Sequence, residues 1–503
     1  MNKNPKPQID WFIFIGGTLV LLAAVVPIAV APEWSIKMVA AAFSFLTQQF
    51  GVYYVVAACA ILVFLLWVAI SDFGGTVLGP TGVAPSHSRF SWAAMLFCTG
   101  IGSSLIYWGA AEWAFYYSAP PFGVESRSDE AILWASSYGM FHWGPVGWSL
   151  YCLPTIAFCC SYHIRNIPVL RLSAACSGVL KNQTDRWPGR LIDLLFIIGL
   201  LGTAATGLAF GTSLVSSAVT RLTGLPDGLE MQLVVLVLAI ALIAYSVYRG
   251  LDKGIKVLSV INATLALVFV AYVLIAGPTR FILEMGVTSV GHLLQNFVKM
   301  ITWTDPAAKS NFVESWTIFY WAWWIALGPF VGMFVAKISR GRTIREVIFG
   351  MIGWGSLGCA LFFIVLGNYA LDLELRNVYP VARQALDESP SAAIAGIIQL
   401  LPFGSFWLVF VAVIGLVFTA TTYDSASYTL SAGATRFLKP DEHPVRAHRV
   451  YWAVALGFLP YVLLSLGGLD PIRFASVIAS VPLLFVYVIL AWSIVKVMKE
   501  KSG

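Results

Sequence analysis

Charge is what this sequence has least of. Its 31 Lys+Arg and 25 Asp+Glu make up 11% of 503 residues, where soluble chains carry ~25%. That is too little to clothe a water-soluble fold of this length, so secreted, cytosolic and fibrous classes are excluded, and nucleic-acid binding with them. Cysteine is sparse as well, at seven residues. Cys59, Cys98, Cys152, Cys159, Cys160 and Cys359 sit in apolar runs, and their spacing suggests neither a metal site nor a disulfide framework. They read as small core residues. Low-complexity stretches and nucleotide-binding motifs are missing, which argues against an ATP-driven machine. Converging acid, base or thiol groups are missing too, which argues against an enzyme, and no cofactor is implied.

What fills the chain instead is apolar: 59% of it is hydrophobic and the mean hydropathy is +0.81. A bilayer core takes about 20 apolar residues per helix. Twelve runs of that order occur, near 11–31, 52–72, 92–117, 132–163, 191–220, 231–248, 257–276, 311–336, 347–371, 403–432, 450–469 and 474–495. The first ends in Ala29-Val30-Ala31, which mimics a signal-peptide cleavage site, but it is long for one and Pro32 follows, so it reads as a retained helix. Counting alternate loops, 22 of the 31 basic residues fall on the side that holds both termini, among them Lys3, Arg165, Arg190, Arg340, Arg342, Arg345, Arg446 and Lys499. The positive-inside bias therefore puts both ends in the cytoplasm. Between the seventh and eighth spans, 281–300 is too polar to cross but places Phe281, Met285, Leu293 and Phe297 at helical spacing, the pattern of a helix on the membrane surface.

Chemistry concentrates in Ser315-Trp316-Thr317-Ile318-Phe319-Tyr320-Trp321-Ala322-Trp323-Trp324, with four tryptophans in ten residues of one span. A headgroup belt is the bland alternative, but a belt needs one or two rings at a helix end. This run extends inward and meets the breaker pair Gly328-Pro329. A quaternary ammonium has no N–H to donate, so ring faces are what can hold it, at ~0.5–2 kcal/mol per ring.

Here the chain resembles the betaine/choline/carnitine transporters, whose signature Trp316 to Trp324 matches. Phe141-His142-Trp143-Gly144, Ser339-Arg340-Gly341-Arg342 and Asp424-Ser425-Ala426-Ser427 match further stretches, and the likeness covers nearly the whole chain. The resemblance implies an all-α, polytopic membrane protein of the leucine-transporter type, one transmembrane domain over 1–503. Two accessory helices (11–72) would precede two inverted five-helix repeats, 92–276 and 311–495, with 281–300 between them. It also implies a homotrimer in the bacterial inner membrane, with substrate held between the repeats near the midplane. The substrate lining it implies is Trp143, Tyr151, Phe115, Trp321, Trp323 and Trp324, with Leu327 standing where relatives carry an aromatic residue.

Thr99-Gly100-Ile101-Gly102-Ser103-Ser104 interrupts the third span. Glycines and small hydroxyls there suit either a broken helix that bares its carbonyls or close helix packing. The resemblance favours the first, and implies a sodium ion held by the carbonyls of Cys98, Ile101 and Phe418 and the hydroxyls of Thr421 and Thr422. Hydroxyls bonded back to their own helix are the alternative. Sodium-independent exchangers of the family carry an arginine where this chain has Asn262. A second sodium at Thr203, Thr206 and Phe330 is implied more weakly. Glu112, His142 and Asp424 are ionisable groups within spans; proton coupling competes there with helix-tying hydrogen bonds. The expectation is sodium-coupled import of an onium compound such as glycine betaine, carnitine, choline or dimethylsulfoniopropionate. The alternatives are sodium-independent exchange of carnitine-like betaines and proton-coupled choline symport.

Overall fold

Inside lipid every backbone N–H and C=O must find a partner within the protein, and a helix is the simplest way to provide one. The computed structural model of the chain describes residues 7–502 apart from 81, 100–101, 250–251, 437, 439–441 and 467–469. Gly100 and Ile101, singled out above, lie outside the described residues, and the rest is almost wholly helical. Nine helices among the described residues are each long and apolar enough to cross a membrane.

The first pair is α1 (Trp11–Val30) and α2 (Pro32–Ile70), joined through Ala31 alone. The apolar runs end at 31 and resume at 52, which predicts a loop between; instead α2 runs unbroken for 39 residues from Pro32. At 1.5 Å per residue that is about 58 Å, roughly twice the hydrocarbon thickness. Pro32 presets the first turn, and no breaker follows in the polar half, so the helix continues beyond the apolar run.

The third span is broken as expected, into α3 (Arg89–Thr99) and α4 (Ser103–Ser118), which meet at 60°. The fourth is broken too, which its sequence did not announce. Here α5 (Asp129–His142) stops at Trp143-Gly144 and α6 (Pro145–Cys159) starts at Pro145, which lacks the N–H that a continuous helix would use. Next come α7 (Trp187–Thr223), closed by the left-handed Gly224, then α8 (Leu229–Arg249) and α9 (Asp252–Ala276). After α9 the chain turns 110° into α10 (Thr279–Thr302), the helix expected at 281–300. Leu283, Val287, Val290, Leu294 and Val298 form an exposed apolar stripe on α10, while Ile282, Gly286 and Ser289 face inward. The remaining spans are α11 (Val313–Ile338, its first turn a π turn), α12 (Ile344–Leu375), α13 (Gly404–Gly433), α14 (Arg446–Ser465) and α15 (Asp470–Ser502). Counting each bent pair, α3 with α4 and α9 with α10, as one span raises the nine to as many as eleven among the described residues, and α5 with α6 lies where the fourth apolar run is expected.

Two polar devices fasten this bundle. The first ties the N-terminus to the end of α13: β1 (Gln8–Ile9) pairs antiparallel with β2 (Thr435–Arg436). Asp10, the N-cap of α1, receives Arg190 Nη2 at 2.5 Å and Arg436 Nε at 2.7 Å. Burial pushes the Asp10 carboxyl up, but the hydrogen bonds and charges of the two arginines outweigh it and hold it below the usual carboxylate range. A depressed folded pKa stabilises the protein above the unfolded value of about 3.9, and the contribution is lost as pH falls through the lower folded value. Thermal stability of the solubilised protein should therefore fall in acid, and Asp10→Asn should flatten that dependence while lowering stability at neutral pH. An unchanged pH profile in Asp10→Asn would remove the clasp from the account.

The second device answers a defect in two helices. Pro154 in α6 and Pro329 in α11 have no N–H to give the carbonyls four residues earlier, Leu150 and Ile325. The hydroxyl of Tyr487 on α15 lies 3.0 Å from both orphaned oxygens, in a fully buried position. It fits there because Gly328 has no side chain; a Cβ at that residue would strike the hydroxyl. Tyr487→Phe strips both carbonyls of their donor, and should cost about 1–3 kcal/mol. Unfolding of the detergent-solubilised variant at the wild-type temperature would show that these carbonyls find a donor elsewhere.

Candidate functional site

The site forms where α4, the α5–α6 break and α11 meet. Glu112 on α4 is fully buried and accepts three hydrogen bonds: from the Tyr116 hydroxyl at 2.5 Å, from the Trp143 indole N–H at 3.1 Å, and from the Tyr320 hydroxyl. With the Tyr116 proton given to Glu112, the 2.9 Å contact to His142 makes Nδ1 the donor, and Nε2 accepts from Thr317 at 3.2 Å. His142 also stacks on Tyr320, with centroids 4.7 Å apart. Three helices are thus pinned through one carboxylate, the tying role expected of Glu112 and His142. The network also holds Trp143 by its indole N–H, which fixes the ring where other aromatic side chains meet it.

Those rings arrive from α6 and α11. Trp143 stands edge-on to Trp323 and to Trp324, each with centroids 5.7 Å away, at 87° and 78°. Tyr151 lies 4.3 Å from Trp324, and Trp148 lies 5.8 Å from it. Trp148 was not picked out from the sequence: five residues after Trp143 it would leave the shared face of a straight helix. Gly147 makes the approach possible, because a Cβ there would sit 2.7 Å from the Trp324 ring and 2.8 Å from the His142 carbonyl. Phe210 and Phe363 flank the group, 6.1 Å from Trp323 and 5.9 Å from Trp143. All five core rings are at least nine-tenths buried, and among the described residues the indole nitrogens of Trp323 and Trp324 have no hydrogen-bond partner. Unpaired buried donors of this kind cost stability and call for an explanation in function or hydration.

The other expected lining residues separate from this group. Phe115 packs on Trp316 at 5.1 Å, and through it on Trp108. Trp321 points to Phe141 and His142, at 5.6 and 5.7 Å, behind the Glu112 network. Leu327 is half-buried beyond Trp324.

Around the break in the third span, α4, α7 and α13 approach closely. A Cβ on Gly211 would meet the hydroxyls of both Ser103 and Thr419, and one on Gly207 would lie 2.9 Å from that of Tyr423 and 3.6 Å from that of Ser104. The Thr419 hydroxyl is buried without a partner among the described residues, another group the sequence reading missed. Phe418 and Thr421 are buried, Cys98 is half-buried and Thr422 is exposed. The Thr421 hydroxyl bonds back to Val417 O at 2.9 Å and Phe418 O at 3.3 Å, so this hydroxyl and the Phe418 carbonyl lie side by side. Asn262 on α9 is buried and donates to Ile414 O at 2.9 Å, one turn before Phe418. Thr203 bonds Gly199 O at 2.7 Å, whereas Thr206 reaches Ile472 O and Ser476 Oγ on α15, each at 2.8 Å; Phe330 is half-buried on α11. Among the described residues no three His, Cys, Asp or Glu side chains gather in a metal-binding group. All seven cysteines are free.

Comparison with known proteins covers the whole arrangement. The family model for the betaine/carnitine/choline family transporters matches residues 12–503. The chain is 32% identical over 496 residues to a carnitine transporter of Acinetobacter baumannii, an alignment spanning 98% of this chain and 90% of that protein. It is also 32% identical over 437 residues to the uncharacterized transporter YeaV of Escherichia coli, spanning 87% and 90% of the two chains.

Proposed function

The chain belongs to the betaine/carnitine/choline transporter family, and from that premise we propose that it imports a quaternary ammonium or sulfonium compound by sodium symport. The observation that carries the reading is the convergence of Trp143 at the α5–α6 break, Trp148 and Tyr151 on α6, and Trp323 and Trp324 on α11. Ring faces attract an onium group electrostatically, and more strongly once water is excluded. In this closed arrangement the rings fill one another's space, so the onium group enters by separating Trp143 and Tyr151 from the α11 pair. Phe115, against Trp316, lines the approach to the box. The A. baumannii relative makes carnitine the first compound to try.

Sodium coupling draws support from the neutral Asn262, which donates to Ile414 O one turn before Phe418; an ion there would take the Phe418 carbonyl and turn the Thr421 hydroxyl away from its bonds to Val417 O and Phe418 O. Oxygen ligands suit a hard cation, and an uncharged amide leaves the charge to be supplied by a mobile ion. The ion shell would be Phe418, Thr421 and Thr422 with Cys98 and Ile101; Thr203 and Thr206 with Phe330 are the place for a second ion. Sodium binding would favour one arrangement of the broken third span, and so couple ion and substrate. The helices would act as two inverted repeats, 92–276 and 311–495, after the accessory pair. The working form would be a homotrimer in the bacterial inner membrane with both termini cytoplasmic.

The test is sodium linkage in purified protein. Sodium should raise the affinity for carnitine or glycine betaine, read by tryptophan fluorescence, by at least about tenfold. Thr421→Ala with Thr422→Ala should remove most of that gain while leaving sodium-free binding alone. Affinity that ignores sodium in the wild type would overturn the coupling.

A further inference from the structure

The tryptophan run already carries a resident cation. Arg473, in the first turn of α15, places its guanidinium 4.2 Å from the ring centroid of Trp316 and 5.1 Å from that of Phe319. Phe319 in turn stacks on Trp323, with centroids 5.7 Å apart and planes at 21°. The guanidinium thus sits over the first turns of α11, between one and two helical turns (~6–10 Å) before Trp323 and the proposed onium site. Its side chain is 7% exposed, within electrostatic reach of Glu112, Tyr116 and Tyr320. Among the described residues its ion-pair partner is a loose one: Asp470 Oδ1 at 3.4 Å, on a side chain 66% exposed. Among the described residues the Arg473 Nε has no hydrogen-bond partner.

A buried guanidinium offers a fork of five N–H donors suited to a carboxylate, and leaving it half filled is costly. Glu112 cannot fill it, because that carboxylate already accepts from Tyr116, Trp143 and Tyr320. Stacking alone would explain a cation on Trp316, but would not call for open N–H groups beside the box. The geometry points to Arg473 as the specificity residue that receives the carboxylate of the substrate. The transporter thereby selects a zwitterion, a carboxylated onium compound, over a cation ending in a hydroxyl. This rests on the reading that the onium group binds at Trp323 and Trp324. The substrate lies along α11, with its onium end among those rings and its carboxylate on the Arg473 fork.

The experiment measures binding of glycine betaine, its methyl ester and choline to the full-length protein in nanodiscs. The ester keeps the onium group and removes only the negative charge. Wild type should bind the acid at least about tenfold more tightly than the ester and choline. Arg473→Gln should erase that ratio with ester affinity within about twofold of wild type, and Arg473→Lys should keep part of it. Equal binding of acid and ester by wild type overturns the proposal without any variant, so a variant that fails to fold does not shield it. A ratio preserved in Arg473→Gln overturns it as well, and so does a parallel loss of acid and ester, which would mean that Arg473 only braces Trp316. Failure of the underlying reading looks different: Trp323→Leu with Trp324→Leu would then leave all three affinities unchanged.

Discussion

Trp323→Leu combined with Trp324→Leu should reduce substrate affinity by about 30- to 1,000-fold and bring uptake at micromolar substrate below detection. Each desolvated ring face contributes up to ~2 kcal/mol to an onium ligand, and a tenfold change in affinity is 1.4 kcal/mol. Leucine keeps the positions apolar, so the helix remains buried while the ring faces are lost. Trp321→Leu is the internal control. That ring packs on Phe141 and His142, behind the Glu112 network. Its loss should lower thermal stability more than affinity. Equal affinity losses in Trp321→Leu and Trp324→Leu would mean that the run acts only as packing.

Glu112→Ala is the second large effect, and it should appear first as a folding defect. The substitution leaves the Tyr320 hydroxyl and the Trp143 N–H without their acceptor, and the Tyr116 hydroxyl with His142 Nδ1 alone, in a position with no access to water. Removing one member of such a buried charged network costs ~3–5 kcal/mol, a large part of the 5–15 kcal/mol that holds a typical protein together. Glu112→Gln retains the shape but turns one oxygen into a donor facing other donors. It should fold better than the alanine variant and still bind substrate weakly, because Trp143 loses its anchor. Thermal unfolding and binding on the same preparations check both. Wild-type stability in Glu112→Ala would contradict the network described here.

The parts of this account that were legible in the sequence are those written along one helix. The apolar runs gave the long apolar helices, and the period within 281–300 gave the helix seen at Thr279–Thr302. The density of rings in Trp316–Trp324 marked the span around which the aromatic cluster forms. What stayed hidden depends on contacts between distant segments. Tyr487 lies 337 residues from Leu150 and 162 from Ile325, and although Pro154 and Pro329 announce two orphaned carbonyls, nothing nearby names their donor. Trp148 was hidden by the break at Trp143-Gly144, since helical spacing assumes an unbroken frame. Arg473 reads as an ordinary basic residue near a helix end until its guanidinium is seen on Trp316. The helical stretch of 32–51 was missed for a different reason: its polarity ruled out lipid, not helix.

The most direct measurement is initial uptake of labelled glycine betaine, carnitine and choline by the purified protein in potassium-loaded liposomes, with sodium or potassium outside. The account predicts uptake of a carboxylated onium compound that requires external sodium, is lost with Trp323→Leu and Trp324→Leu, and falls sharply with Thr421→Ala and Thr422→Ala. Uptake indifferent to sodium and seen only when a related betaine is loaded inside would contradict it, and make the protein an exchanger.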